Sequence, residues 1–284
     1  MKRFSKIAAV RKFCQAAPRP LVLVTTMGAL HEGHAALIRK ARIVAGNRGT
    51  VAVTIFVNPK QFAAHEDLSK YPRPLAADLA ICRRENADVV FNPSVEEMYD
   101  SDDSIMVEER CLSRGLCGAS RPGHFSGAIT VITKFLNIII PDAVVFGEKD
   151  WQQLALVRRL VRDLNYGIRV IGHPTVRERN SLALSSRNVY LQPEERTVAP
   201  QIYASLMATA KLACCGKTDV PELLKITRDA LLTIPKIKID YVSIVESDTL
   251  EPLTKLIPGK TKARLLVAVF LGKTRLIDNV TLTL

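Results

Sequence analysis

Short apolar runs recur along the first part of the chain, at 21–25, 51–57, 88–91, 143–146 and 168–172, and most are apolar throughout rather than alternating with polar residues. A strand that is apolar on both faces is buried on both, as the strands of a parallel sheet are when helices cover each side. The segments between these runs, 34–46, 74–86, 125–140 and 151–165, carry apolar residues at helical spacing. Alternation of this kind predicts an α/β fold built on a doubly wound parallel sheet. The basic, amphipathic stretch 1–14 reads as a first helix.

Past Pro174 the pattern changes. A polar loop leads to helical stretches at 194–215 and 220–234, and then to strand-like runs at 239–245, 264–271 and 275–282. Strands gathered at the end of a chain, two of them separated by only Gly272 and Lys273, predict a small antiparallel sheet backed by helices. Two domains are expected: 1–175, carrying the parallel sheet, and 176–284, a smaller C-terminal α+β domain.

The 284 residues are 48% hydrophobic and 24% charged, a globular mixture that excludes disordered, collagen-like and coiled-coil chains. Lys and Arg number 40 against 28 acids, a formal charge of +12, so the surface favours anionic ligands without choosing among them. The basic residues are scattered, with no long basic block or interleaved aromatic platform, and a nucleic-acid partner is not expected. The six cysteines form no C-x-x-C pair and no cluster at zinc-finger spacing, which points to reduced thiols. The amino-terminal stretch lacks the apolar core of a secretory signal, and the most apolar segment, 135–146, is interrupted by Asn137, Pro141 and Asp142. A cytoplasmic protein with no membrane span is expected.

In an open α/β sheet, ligands sit at the carboxyl ends of the strands, so chemistry-bearing residues are sought just after each run. The first run leads into Met27-Gly28-Ala29-Leu30-His31-Glu32-Gly33-His34 and then a helix. The glycines permit tight turning, and free amides at a helix start attract phosphate. His31 and His34, three apart, can both face one anion from the first helical turn, and imidazole donates hydrogen bonds and carries a proton near neutral pH. For either histidine alone a helix cap is the plainer reading; the pair bracketed by glycines favours function. A metal reading of the pair lacks further ligands, and neither the dinucleotide fingerprint nor the P-loop spacing is present.

The second run ends in Asn58-Pro59-Lys60-Gln61-Phe62, whose carboxamides can read hydroxyls and carboxylate, although Asn-Pro is also an ordinary turn. The fourth ends in Gly147-Glu148-Lys149-Asp150, followed by Trp151, Gln152 and Gln153. Lys149 can bring positive charge to a phosphoryl centre, and Asp150 can cap the helix or help hold magnesium. In the loop after Pro174, Leu184-Ser185-Ser186-Arg187 offers two hydroxyls and a guanidinium suited to polyphosphate. Three phosphate-suited sites at separate points of one architecture outweigh the bland reading of each.

Taken together, MGALHEGH, FVNPKQF (56–62), YPRPLAADL (71–79), SRPGHFSGAITVITKFLN (120–137), GEKDWQQL (147–154), LALSSRNVYL (182–191) and LGKTRLIDN (271–279) closely resemble the pantoate:beta-alanine ligases, the pantothenate synthetase family of the HIGH-motif nucleotidyltransferase superfamily. The resemblance spans nearly the whole chain. It implies a Rossmann-like N-terminal domain, a C-terminal lid domain and a homodimer made through the N-terminal domains. It also implies a two-step reaction in which ATP and pantoate form an enzyme-bound pantoyl adenylate with loss of pyrophosphate, and beta-alanine then displaces AMP. Carried over by position, Met27, Gly28, Ala29, Leu30, His31, Glu32, Gly33 and His34 bind ATP, with His34 as proton donor and His31 as its phosphate partner. Gly147, Glu148, Lys149, Asp150, Val176, Leu184, Ser185, Ser186 and Arg187 complete the ATP site, Lys149 and Arg187 acting in catalysis. Asn58, Gln61 and Gln153 fall to the substrates pantoate and beta-alanine, and Asp78 to magnesium.

The chain departs from the family pattern at Thr25, where proline is usual, at Ala77, often acidic beside Asp78, and at Asn180-Ser181, commonly Asp-Gly. Two other readings stand beside this one. An adenylyltransferase acting on a phosphate ester would use the same histidine motif and need no amine; a nucleic-acid-binding protein would bind with strong salt dependence and release no pyrophosphate.

Overall fold

Lys2–Phe4 (β1), Leu21–Thr26 (β2), Thr50–Ile55 (β3), Val89–Phe91 (β4), Ala143–Gly147 (β5) and Arg169–His173 (β6) form one sheet in the order β1-β4-β3-β2-β5-β6. Every pair in it is parallel. The computed structural model describes residues 1–63 and 68–283. Within it the chain separates into two compact units, the first comprising Met1–Ser113, Arg121–Glu148 and Leu156–Pro174, the second Arg114–Ser120, Lys149–Ala155 and Thr175–Leu284.

In the first unit, β2 and β3 run in register from Leu21↔Thr50 to Thr26↔Ile55. Both faces of the pleat are buried: Val22, Val24, Val51 and Val53 fill one, and Leu21, Leu23 and Ala52 the other. Helix α1 (Ile7–Ala16) follows β1, α2 (Glu32–Ala45) follows β2, and α3 (Leu75–Arg84) precedes β4. Ile38 and Ala41 of α2 and Leu79 and Cys82 of α3 join the valines in one core. A single turn, α4 (Val95–Met98), follows β4; α5 (Cys117–Ser120), which belongs to the second unit, comes next along the chain, and α6 (His124–Ile139) precedes β5. Helix α7 (Trp151–Asp163), whose residues up to Ala155 belong to the second unit, joins β5 to β6. Strand order reverses beside β2, which has β3 on one side and β5 on the other. The carboxyl ends of β2 and β5 therefore flank the topological switch point, where open α/β sheets bind ligands.

The stretch 1–14 is not one helix. Lys2–Phe4 instead adds to the outer edge of β4, pairing Lys2↔Val89 to Phe4↔Phe91, and α1 begins only at Ile7. Glu97 fixes that start by accepting from the Ile7 N–H (2.7 Å) and from Lys6 Nζ (2.8 Å).

In the second unit, β7 (Ile237–Glu246), β8 (Ala263–Leu271) and β9 (Thr274–Leu282) form an antiparallel sheet in chain order, with Gly272-Lys273 as the two-residue hairpin loop. Leu265, Val267, Val269 and Leu271 of β8 are fully buried against Leu206 of α9 (Gln201–Cys214) and Leu223 and Leu231 of α10 (Val220–Leu232). The helical stretch expected over 194–215 is two helices, α8 (Pro193–Val198) and α9, because Pro200 has no N–H to continue the ladder. No helix among the described residues is long and apolar enough to cross a membrane.

Candidate active site

The loop between β2 and α2 turns on Gly28 and Ala29, both with positive φ (+85° and +50°). Gly28 is obligatory twice over, since a Cβ there would sit 3.0 Å from Asp78 Oδ2 and 3.2 Å from Ile55 Cγ2. The Asp78 carboxylate, 1% exposed on α3, accepts from the backbone N–H groups of Ala29 (3.0 Å) and Leu30 (2.7 Å). Thr26 Oγ1 accepts from the Gly28 N–H. The amides expected to await phosphate here are thus already engaged within the protein, and what the loop presents is its two imidazoles.

Those rings make a reciprocal helix cap. The Gly33 N–H donates to His31 Nδ1 (3.1 Å), and the His31 N–H donates to His34 Nδ1 (3.3 Å). His31 is the N-cap and His34 occupies the third helical position, the spacing of a capping box. A backbone N–H can only donate, so each Nδ1 is an acceptor and each neutral ring carries its proton on Nε2. The rings lie 4.1 Å apart, tilted by 41°. The plain reading of a histidine as a cap and the functional one coincide: capping sets the tautomer that chemistry would use.

Asp78 and Asn58 also hold parts of the protein itself. Both Asp78 oxygens serve the loop amides, and among the described residues no group of three or more His, Cys, Asp or Glu side chains gathers to hold a metal ion. Asn58 is 1% exposed and makes a full complement of four hydrogen bonds inside the protein. Its Nδ2 donates to Gln61 Oε1 (3.2 Å) and to the Gly127 carbonyl (3.1 Å), while its Oδ1 accepts from Tyr99 Oη (2.8 Å) and the Lys60 N–H (3.4 Å). Nothing is left for a substrate. Gln61, itself only 8% exposed, is the second carboxamide of this cluster: its Nε2 donates to Met27 Sδ (2.7 Å), joining the turn after β3 to the loop after β2. His124 Nδ1 donates to the Gln61 carbonyl (2.8 Å).

Gly147 closes β5 opposite His173, and Glu148 begins a 3-10 turn that runs to Asp150. In the second unit, the Lys149 carbonyl accepts from Asn279 Nδ2 (3.0 Å), and Asn279 Oδ1 in turn accepts from Arg264 Nη1 (3.0 Å). The Arg264 guanidinium lies 3.2 Å from the centre of the Trp151 ring, whose Nε1 donates to the Ser247 carbonyl. The Lys149 side chain is 19% exposed, with Nζ 3.8 Å from Asp150 Oδ2. Gln153 is half-buried in the first turn of α7; its neighbour Gln152 is structural, accepting from the Cys117 N–H and donating to the Gly115 carbonyl.

Val176 and Leu184 are joined by a backbone hydrogen bond, and Ser185 caps the short turn Ser186–Tyr190 by accepting from the Arg187 N–H (3.2 Å). Lys149 and Ser185 line one small cavity with Tyr203, Leu276 and Asp278. Asn188 braces the turn by donating to Glu178 and to the Ala183 carbonyl, and Arg196 grips Glu178 through both carboxylate oxygens. The sequence carried no signal for Tyr99, Glu178 or Arg196. Asn279 was visible only as part of the terminal LGKTRLIDN block.

The first unit thus presents paired imidazoles at the switch point of a parallel α/β sheet, and the second a lysine turn and a serine-arginine turn. The profile of the Pantoate-beta-alanine ligase family matches residues 2–281. The chain is 47% identical to a pantothenate synthetase of Thermotoga neapolitana over 279 residues, 98% of this chain and 95% of that one. It is 47% identical to one of Pseudomonas savastanoi pv. phaseolicola, with 93% and 91% covered. Among solved structures it is similar to the pantothenate synthetase of Thermus thermophilus (TM-score 0.92, 42% identity, 100% of each chain). It is also similar to the pantoate-beta-alanine ligase of Francisella tularensis complexed with beta-gamma ATP and beta-alanine (TM-score 0.79, 33% identity, 99% and 97% covered). The chain belongs to the pantoate-beta-alanine ligase family.

Proposed function

We propose that this chain joins pantoate to beta-alanine at the expense of ATP, and that the residues described above divide the work. A pantoate carboxylate oxygen attacks the α-phosphorus, forming the acyl adenylate as the bond to the β-phosphate breaks and pyrophosphate leaves. The beta-alanine amine then attacks the acyl carbon; the C–N bond forms, a proton is released, and AMP departs with the electrons of the broken C–O bond. The acyl phosphate is already activated, so the protein's task is alignment and charge stabilisation.

The observation that carries this reading is the reciprocal histidine cap. It holds two Nε2–H donors at the start of α2, beside the switch point, where oxygen charge builds as pyrophosphate leaves. The resemblance makes His34 the proton donor and His31 its phosphate partner; in the neutral tautomer described, each acts by donating an Nε2–H hydrogen bond to a phosphate oxygen. Lys149 and Arg187 add positive charge, and Gly147, Glu148, Asp150, Val176, Leu184, Ser185 and Ser186 shape the nucleotide site. Gln61 and Gln153 read the acid, while Asn58 supports Gln61 from behind.

Magnesium, which the family resemblance implies, falls to Asp78, whose two oxygens each accept one loop N–H and would hold the ion through their second lone pairs. The nucleotide's phosphate oxygens also bind the ion, the usual habit of magnesium at such sites. The same resemblance supports a homodimer formed through the N-terminal domains, which sedimentation measures, a C-terminal domain acting as a lid, and a cytoplasmic setting where ATP is available.

Exchange of labelled pyrophosphate into ATP, with magnesium and without beta-alanine, tests the first step. It is expected to require pantoate, and His34→Ala and Lys149→Ala should each slow it at least about tenfold in folded protein. Exchange that is indifferent to pantoate, or to both substitutions, would overturn the assignment.

A further inference from the structure

We propose that Tyr99 is a positioning residue for the acid substrate: through Asn58 it fixes Gln61 so that this carboxamide offers N–H, not C=O, to an oxygen of the hydroxy acid. The inference rests on the function proposed above and deepens it. Its basis is a chain of hydrogen bonds that has only one direction. The Gly127 carbonyl can only accept and the Lys60 N–H can only donate, so they identify Asn58 Nδ2 and Oδ1 respectively. With Oδ1 so placed, the Tyr99 hydroxyl must be the donor in its 2.8 Å contact. Asn58 Nδ2 then donates to Gln61 Oε1, which leaves Gln61 Nε2 to face Met27 Sδ.

A thioether is a weak acceptor. Met27 thus holds the Gln61 N–H in place with a bond that a hydroxyl or carboxylate oxygen readily outcompetes. Tyr99 supplies the short bond in the relay, since the Lys60 contact to the same oxygen is 3.4 Å. Burial pushes the phenol well above its ordinary value, so it stays a donor across the working pH range. The ring itself is held independently. Phe56 packs beside it at 6.3 Å, and Lys60 and Lys134 place their ammonium groups 4.4 and 5.0 Å from its centre. Tyr99→Phe therefore removes the hydroxyl and leaves the packing.

The test begins with pantoate-dependent pyrophosphate exchange by the unmodified chain, and then compares Tyr99→Phe, Gln61→Ala and the double variant. Tyr99→Phe should raise the KM for pantoate at least about fivefold while the KM for ATP stays unchanged and kcat falls less than about twofold. The double variant should match Gln61→Ala alone, because a residue acting through Gln61 has nothing to act on once it is gone. In nuclear magnetic resonance spectra, Tyr99→Phe should shift the side-chain amide signals of Asn58 and Gln61. A pantoate KM unchanged by Tyr99→Phe, or effects of the two substitutions that multiply, would overturn the proposal while leaving the ligase reading intact. Failure of pantoate dependence in the unmodified chain would instead strike the ligase reading, and this inference with it.

Discussion

The histidine loop of the first unit and the lysine turn of the second are both held by a buried side chain from a distant part of the sequence, but with opposite chemistry. The loop after β2 exposes N–H groups; its tether is a carboxylate, Asp78, which only accepts. The turn after β5 exposes a carbonyl at Lys149; its tether is a carboxamide, Asn279, which donates with one end and is itself oriented by Arg264 at the other. Both loops lead from a strand into a helix; what decides the side chain that can hold each is the backbone group it meets, N–H at Ala29 and Leu30 and C=O at Lys149. An acid in a nucleotide site can thus hold backbone as well as a metal, and an amide there is not by itself a substrate contact.

This contrast is most sharply broken at Asp78. Asp78→Ala strands two buried N–H donors, at about 1–3 kcal/mol each, and should lower adenylate formation by more than about a hundredfold because both imidazoles lose their reference frame. Thermal unfolding and exchange assays measure the two effects. Burial also raises the Asp78 carboxyl above its ordinary value, so the folded chain holds that proton to a higher pH than the unfolded chain does. Stability from this site is fully present below the ordinary aspartate value of 3.8 and is lost as pH rises through the raised one. Asp78→Ala should remove that part of the pH slope.

At the second tether the expected effects are smaller, since only one backbone group, the Lys149 carbonyl, is held there. Asn279→Ala should slow adenylation by about tenfold, and Asn279→Asp by more, because a carboxylate cannot donate to the Lys149 carbonyl. If the aspartate variant proved as active as the parent, the donor-acceptor contrast would fail. The smallest effect is expected at Ser181, where φ is +75° in a tight turn closed by hydrogen bonds between Glu178 and residues 181 and 182. Ser181→Gly should raise stability by about 0.5–1 kcal/mol by relieving a left-handed backbone. A lower melting temperature would count against that.

The strands at 21–25, 51–57 and 143–146 were legible because burial on both faces leaves a continuous apolar run, which no distant partner has to explain. β1 was not legible. Lys2 and Arg3 are exposed, and only β4, far along the chain, makes a strand of them. The site divided in the same way. His31 and His34 could be found because their spacing is local, and the helix cap that uses it is local too. Asp78 and Asn58 were visible as polar residues near the right strands, but their tasks depend on which backbone groups they meet. Tyr99 gave no sign, since a single buried hydroxyl leaves no pattern in a sequence.

Gly127 of α6 lies so close to the carbonyl of Lys60 that any side chain there would overlap the turn carrying Asn58 and Gln61. That turn therefore takes its position from the helix, not from the loop in which it lies. Laboratory evolution toward a bulkier hydroxy acid would gain little from varying 58–62 alone. Room for a larger substrate has to be opened first along α6, and libraries that change the helix and the turn together should reach it where loop libraries stall.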